Sequence, residues 1–128
     1  MYRLASEVAK RRNCKAISNG ESVGQVASQT LESMYTINEV TNMPVIRPVV
    51  CLDKEEIINI ARRIDTFEIS IRPYEDCCTI FAPKNPKTRP SLEKSKELEN
   101  TFDFESLIKD ALNNIEVIHI SRDDQDLF

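Results

Sequence analysis

Histidine is almost missing from this 128-residue chain, and tryptophan is missing altogether. The one histidine is His119, and the cysteines stand at 14, 51, 77 and 78. An adjacent cysteine pair is not a CxxC, and one histidine cannot complete a tetrahedral set, so no metal site is expected. No apolar run approaches the ~20 residues that a membrane helix needs. Met1-Tyr2-Arg3-Leu4 is not followed by the apolar core and small-residue cleavage site of a signal peptide. The expectation is a cytoplasmic chain with no membrane contact, where a structural disulfide framework does not form. Glycine occurs only twice, and both residues, Gly20 and Gly24, fall in one stretch. A net charge of −4 excludes a basic coat over the whole surface, though not a local basic patch. No internal repeat is visible.

What is present suits one domain with a real core, since 41% of residues are hydrophobic. Tyr2 to Asn13 reads as a helix with Leu4 and Val8 inward and a basic last turn. A chain that starts on a helix, with no opening strand, is expected to lack an earlier part of its domain. Cys14 to Ser18 reads as a buried parallel strand. The glycine turn follows, and a helix is expected behind it, running on through Leu31, Met34, Tyr35 and Ile37. Gln25 and Gln29, four apart, then share one helical face. Val45 to Leu52 is a second apolar run, its centre reduced by Pro48 to a strand end or an irregular crossing. Asp53 and Glu56 form a capping box for a helix whose core face is Ile57, Ile58, Ile60, Ala61 and Ile64.

Thr66 to Ile71 alternates, as a short strand or extended loop does. Ser91 caps a charged helix, Leu92 to Phe102, anchored by Leu92 and Leu98. Asp103 to Asn114 is a further helix, with Phe104, Leu107, Ile108, Ala111 and Leu112 inward. Glu116 to Ile120 reads as a closing strand, with His119 structural within it. The acidic residues 121–128 read as a frayed tail.

The chemistry concentrates in Arg72-Pro73-Tyr74-Glu75-Asp76-Cys77-Cys78-Thr79-Ile80-Phe81-Ala82-Pro83 and the basic loop after it, Lys84-Asn85-Pro86-Lys87-Thr88-Arg89-Pro90. A reactive cysteine needs thiolate character. Arg72, Lys84, Lys87 and Arg89 supply positive potential nearby, and Glu75 and Asp76 oppose it. The residues alone leave three readings of the pair: one reactive thiol, one buried and one idle thiol, or a strained redox-labile couple. The remaining cysteines are expected as buried apolar groups. Arg47, Arg72 and the 84–89 loop are candidates for phosphate contacts, against the plainer reading of a solvated loop.

The stretch Gly20-Glu21-Ser22-Val23-Gly24-Gln25-Val26-Ala27-Ser28-Gln29-Thr30-Leu31 resembles the tRNA 4-thiouridine synthetases (the ThiI family of tRNA sulfurtransferases), which belong to the PP-loop ATP pyrophosphatases. Ser33 to Asn42, Pro44 to Pro48, Asp53 to Ile58 and Ile69 to Thr79 resemble the family as well. The similarity runs from about residue 1 to 120. Asn19 stands where the family leads one to expect Thr, and Asp65 where it leads one to expect Gly. The family's phosphate-gripping SGGxDS loop does not occur in the chain, nor does its THUMP domain or the trailing rhodanese domain of some members.

The resemblance implies an α/β fold: the C-terminal half of a Rossmann-like, adenine nucleotide alpha hydrolase-like parallel sheet flanked by helices, truncated. It implies an ATP-dependent sulfurtransferase that adenylates a uridine of tRNA and then transfers persulfide sulfur, also feeding the thiazole of thiamine. Gly20 and Gln29 match ATP-binding positions, with Mg2+ held through the absent phosphate loop. Cys78 matches the sulfur-transfer cysteine, with Cys77 beside it as the other candidate. The partners implied are tRNA and a cysteine desulfurase, and a half sheet is expected to self-associate into a homo-oligomer. The segment alone is expected to be inactive. The other readings are a non-catalytic α/β interaction module for a sulfur-relay partner, and a different PP-loop enzyme, which Glu75-Asp76-Cys77-Cys78 disfavours.

Overall fold

The computed structural model describes residues 1–26, 28–74 and 87–121. Among these, helices α1 (Tyr2–Arg11), α2 (Leu31–Asn38), α3 (Lys54–Arg63), α4 (Phe67–Ser70), α5 (Leu92–Glu99) and α6 (Phe104–Asn113) surround two short strands, β1 (Ile17–Ser18) and β2 (Val45–Ile46). The strands pair in parallel, Ile17 opposite Val45 and Ser18 opposite Ile46. The intervening helix α2 makes this a β-α-β crossover, the connection that parallel strands require.

Local chemistry accounts for the helix ends. The Asp53 carboxylate accepts from the Glu56 N–H at 2.8 Å, and the Glu56 carboxylate accepts from the Asp53 N–H at 2.8 Å. This is the expected capping box, worth about 1 kcal/mol. Helices α1 and α3 both close through left-handed residues, Asn13 and Asp65, each at φ 57°. The Cys14 N–H then reaches the Ala9 carbonyl at 2.8 Å, and the Thr66 N–H the Ala61 carbonyl at 2.9 Å. Asn13 and Asp65 themselves donate to Lys10 and Arg62. Both ends are therefore Schellman motifs, which glycine usually completes. The departure at Asp65 is thus a left-handed position filled by a residue that tolerates it at some cost.

Tertiary ties are few and polar. α1 packs on α6, and the Arg11 guanidinium donates to the Leu112 carbonyl at 2.8 Å. Arg3 forms a two-pronged pair with Glu99 (2.9 and 2.6 Å) and lies 4.7 Å from the centre of the Phe104 ring. Phe104 meets Phe102 edge to face at 6.3 Å. Buried Ser6 donates to the Thr41 hydroxyl at 2.7 Å. Among the described residues the buried hydrophobics are Ala9, Met34 and Leu112.

Several expectations are corrected. The helix behind the glycine turn begins only at Leu31, so Gln25 and Gln29 lie in turns and share no helical face. Gly24 has φ 81°, outside helical space, and its N–H reaches forward to the Gln29 carbonyl at 2.9 Å. Thr66 to Ile71 is neither strand nor loop but carries α4, because the Schellman turn at Asp65 starts a new helix at once. The charged helix ends at Glu99, short of Phe102. Glu116 to Ile120 is no strand, since no described strand pairs with it, and His119 lies there exposed. β1 occupies two of the five expected positions, and Cys14 and Cys51 are exposed rather than buried. Ile64, Leu98 and Leu107 are each about 60% exposed instead of inward (59%, 59% and 62%). The tail from 122 on and the span 75–86 lie outside the described residues.

The left-handed Asp65 leads to a test. Asp65→Gly removes a steric cost at the α3 end and should raise unfolding stability by up to about 1 kcal/mol. A higher urea midpoint checks it, with Asp65→Ala moving the midpoint down as the control.

Candidate nucleotide and sulfur-transfer site

Parallel strands present ligands at their carboxyl ends, where chain leaves the sheet for the next helix. Here those exits are Asn19-Gly20-Glu21 after β1 and Arg47 after β2. The two exits are locked together. The Glu21 Oε2 atom accepts from the Tyr2 hydroxyl at 2.8 Å, from Asn19 Nδ2 at 2.8 Å and from Arg47 Nε at 3.0 Å. Asn19 Nδ2 also donates to the Tyr2 oxygen. The second arm of Arg47 reaches the same oxygen at 3.1 Å and Asn38 Oδ1 at 3.2 Å. One carboxylate thus ties α1, both strand ends and the last residue of α2.

Burial alone pushes the Glu21 carboxyl up, but the donors Arg47, Tyr2 and Asn19 outweigh it and hold the group below its usual range. The same cluster moves the Tyr2 phenol up, first through burial and then through its bond to Glu21.

The turn after Glu21 is pinned from below. Ser22 is 2% exposed, and its hydroxyl donates to the Leu52 carbonyl at 2.7 Å. The Val23 N–H reaches the Val50 carbonyl at 3.0 Å. The Ser22 N–H donates to Gln29 Oε1 at 3.4 Å, which brings Gln29 back beside Glu21 although eight positions separate them. Gly20 is exposed, and a Cβ built there would meet nothing within 4 Å. Its backbone is therefore open to an approaching group.

The arm that returns from the cysteine segment docks next to Gln29. Thr30 caps α2 by accepting from the Ser33 N–H at 3.1 Å, and its hydroxyl donates to the Thr88 carbonyl at 2.7 Å. Thr36 donates to the Pro90 carbonyl at 3.2 Å, and Arg89 faces Glu32 at 3.6 Å. A cleft of about 820 Å³ opens there, with Glu21, Gln29 and Ser33 on one side and Pro90, Leu92 and Lys96 on the other.

Gly20 and Gln29 thus lie on one turn, beside the docked 87–90 arm. Cys77, Cys78 and Lys84 lie outside the described residues. Arg47, expected to contact phosphate, is engaged with Glu21, Tyr2 and Asn38, while Arg72 is exposed. Sequence reasoning missed Tyr2, Glu21, Ser22 and Thr30. The one available signal was position: Glu21 and Ser22 directly follow the glycine singled out for ligand approach. Among the described residues no group of three or more His, Cys, Asp or Glu side chains converges on a metal position. No helix among them is long and apolar enough to cross a membrane.

The Glu21 shift fixes the sign of a pH effect. A carboxyl whose folded pKa is depressed contributes stability above its unfolded value, about 4.3, and loses it as pH falls through the folded pKa. Glu21→Gln should cost about 1–2 kcal/mol at pH 7. It should also flatten the fall in stability below about pH 4.3, read from urea midpoints at stepped pH. An unchanged acid slope in the variant would remove Glu21 from the account.

The family described as Thiamine biosynthesis protein (ThiI) matches residues 1–104. A protein of Listeria monocytogenes serotype 4b (strain CLIP80459) named "Probable tRNA sulfurtransferase" is 59% identical over 121 residues, covering 94% of this chain and 30% of its own. A protein of the same name from Levilactobacillus brevis is 56% identical over 124 residues, covering 97% and 31%. The crystal structure of a 4-thiouridine synthetase–RNA complex with bound ATP is similar at a TM-score of 0.83 and 45% identity, over 89% of this chain and 30% of that one. The chain therefore spans about 30% of the length of these relatives. With most of its length matched, from α1 through the first residue of α6, the chain belongs to the ThiI family.

Proposed function

We propose that residues 1–120 form the C-terminal part of a PP-loop ATP pyrophosphatase domain, the later half of a Rossmann-like sheet, within an ATP-dependent tRNA sulfurtransferase that makes 4-thiouridine. The observation that carries this is the likeness to the synthetase–RNA complex with bound ATP, 45% identical and close in fold. The thiazole of thiamine is proposed as a second destination of the sulfur, in keeping with the family's description. The cytoplasm is the proposed location.

The chemistry asked of the longer protein is a substitution in two stages. The uridine O4 attacks the α-phosphorus of ATP, and pyrophosphate leaves. The pyrimidine oxygen, a poor leaving group, is now part of a good one. The terminal sulfur of a persulfide then attacks C4, and AMP departs carrying the oxygen. The carrier Sγ stays bonded to the uridine sulfur until a second thiol attacks that disulfide and releases 4-thiouridine. Cys78 is the proposed carrier, loaded by a cysteine desulfurase, and Cys77 is the neighbouring thiol.

The residues of this chain fit the nucleotide in a limited and specific way. Gly20 leaves its backbone accessible, Gln29 offers an amide, and both stand on a turn pinned by Ser22. The phosphates and Mg2+ are assigned to a phosphate loop outside this sequence. tRNA is the proposed acceptor, as RNA accompanies the similar synthetase. The exposed apolar side chains of Leu31, Tyr35, Leu98 and Leu107 support association with further protein, including a second copy.

Two experiments test the reading. In the first, residues 1–121 replace the matching segment of the Listeria relative, and thiolation of tRNA is measured with a desulfurase and ATP. The chimaera should be active, and Cys78→Ser should abolish both thiolation and the persulfide adduct seen by peptide mass mapping. An active Cys78→Ser chimaera would move the sulfur elsewhere. Loss of thiolation with the adduct intact would leave this segment a relay module rather than a sulfur carrier. In the second, Gly20→Ala should leave stability unchanged or raise it by up to about 1 kcal/mol, since no atom opposes the new methyl. It should weaken ATP binding in the same chimaera about tenfold, and equal affinity would remove Gly20 from the site.

A further inference from the structure

Glu21 and Gln29 line the same 820 Å³ cleft, and their hydrogen-bonding states are opposite. All the described bonds to the Glu21 carboxylate fall on Oε2. Its Oε1 has no partner among the described residues. Paired with Arg47 at 3.0 Å, the group is a carboxylate and so an acceptor only. Gln29 is the reverse case. Its Oε1 accepts from the Ser22 N–H, and its Nε2 has no acceptor among the described residues, which leaves two N–H donors.

The two groups are also linked through Ser22. Ser22 is next to Glu21 in the chain and bonded to Gln29, and its own hydroxyl is fixed on the Leu52 carbonyl. Three donors fix the carboxylate itself. The cleft also carries apolar Ile37, Val40 and Phe102, and its other charged residues pair with one another, Arg3 with Glu99 and Lys96 with Glu39. A fixed acceptor and a donor free among the described residues, on one cleft, are matched by a vicinal diol on a sugar. Each hydroxyl of a diol both donates and accepts, and Glu21 Oε1 is left without a donor among the described residues.

We propose that Glu21 and Gln29 together hold the ribose hydroxyls of the bound nucleotide, Glu21 accepting from a hydroxyl and Gln29 donating to one. The proposal rests on the nucleotide reading above and adds the part of the ligand that is read. A carboxylate on ribose hydroxyls is a general device of nucleotide-binding α/β folds. Here the turn after β1 supplies it, directly after the glycine that lets the backbone approach. Arg47 then acts as a positioning residue, holding Oε2 so that Oε1 is left for the ligand.

The test uses the active chimaera and three probes: ATP, 2′-deoxy-ATP and 3′-deoxy-ATP, titrated by calorimetry. The unaltered protein should bind ATP about tenfold more tightly than at least one deoxy analogue, the effect of one hydrogen bond to a charged group. Glu21→Gln should bind ATP more weakly and reduce that preference severalfold, while Arg47→Lys should show an intermediate loss. Equal affinity for all three nucleotides in the unaltered protein overturns the proposal without touching the nucleotide reading, because it needs no variant to fold. Full discrimination kept in folded Glu21→Gln also overturns it, by placing the diol on other residues. Absence of ATP binding overturns the nucleotide reading itself, and this proposal with it.

Discussion

A single carboxylate oxygen, Oε2 of Glu21, collects a phenol, an amide and a guanidinium, and the arrangement of the described residues hangs on it. Tyr2 comes from the start of α1, Asn19 from the exit of β1, and Arg47 from the exit of β2, which also holds Asn38 at the end of α2. No other contact among the described residues joins these four elements at one point. A half-exposed ion pair standing alone contributes little, because solvent screens it and side-chain entropy opposes it. This one is different in kind. Its side chains are about 16–21% exposed, and every charge has more than one partner, so the desolvation that raises the carboxyl is outweighed.

Such a junction matters more where the apolar core is small. Among the described residues Ala9, Met34 and Leu112 are the buried hydrophobics, while Leu31, Tyr35, Leu107 and Ile120 are more than 60% exposed. Apolar burial near 25 cal/mol per Å² is non-directional. With so little of it complete, hydrophobic contact alone does not select the register of two two-residue strands. Hydrogen bonds with fixed geometry do: Glu21 and Arg47 across the strand exits, Ser22 on Leu52, and Arg3 on Glu99. Part of the apolar surface is thus left exposed among the described residues.

What could be read from the sequence was what adjacent residues decide. Asp53 with Glu56, Ser91 and Asp103 announced helix starts, and α1, α3 and α6 appear where their periodicity places them. The crossover of two parallel strands was legible for the same reason, since two short apolar runs flank a helix. The failures are non-local. Glu116 to Ile120 has the composition of a strand, but a strand exists only where a partner offers its ladder. The residues before Leu31 have helical spacing, yet Gly24 turns left-handed because Ser22 and Val23 are pinned to Leu52 and Val50, far along the chain. Gly20 and Gln29 were singled out through family resemblance. Their neighbours Glu21 and Ser22 needed coordinates, because their partners lie as far away as Tyr2, Arg47 and Leu52.

The last connection concerns how two chemistries meet. On the proposed function, nucleotide activation and sulfur delivery converge on one pyrimidine carbon, and the segment bearing the thiols would then have to be held to the turn that carries Gln29. The structure supplies the hold at Thr30. Its oxygen accepts the N–H that starts α2, and its proton goes to the Thr88 carbonyl, on the arm returning from the cysteine segment. The preceding residue is Gln29, whose amide faces the cleft. One hydroxyl therefore fixes the helix start and the returning arm, one position from Gln29. Thr36 repeats the contact one and a half turns further on, through the Pro90 carbonyl. Both bonds go to backbone carbonyls, so they fix the path of the arm through its main chain whatever its side chains do, and Arg89 adds an exposed ion pair with Glu32.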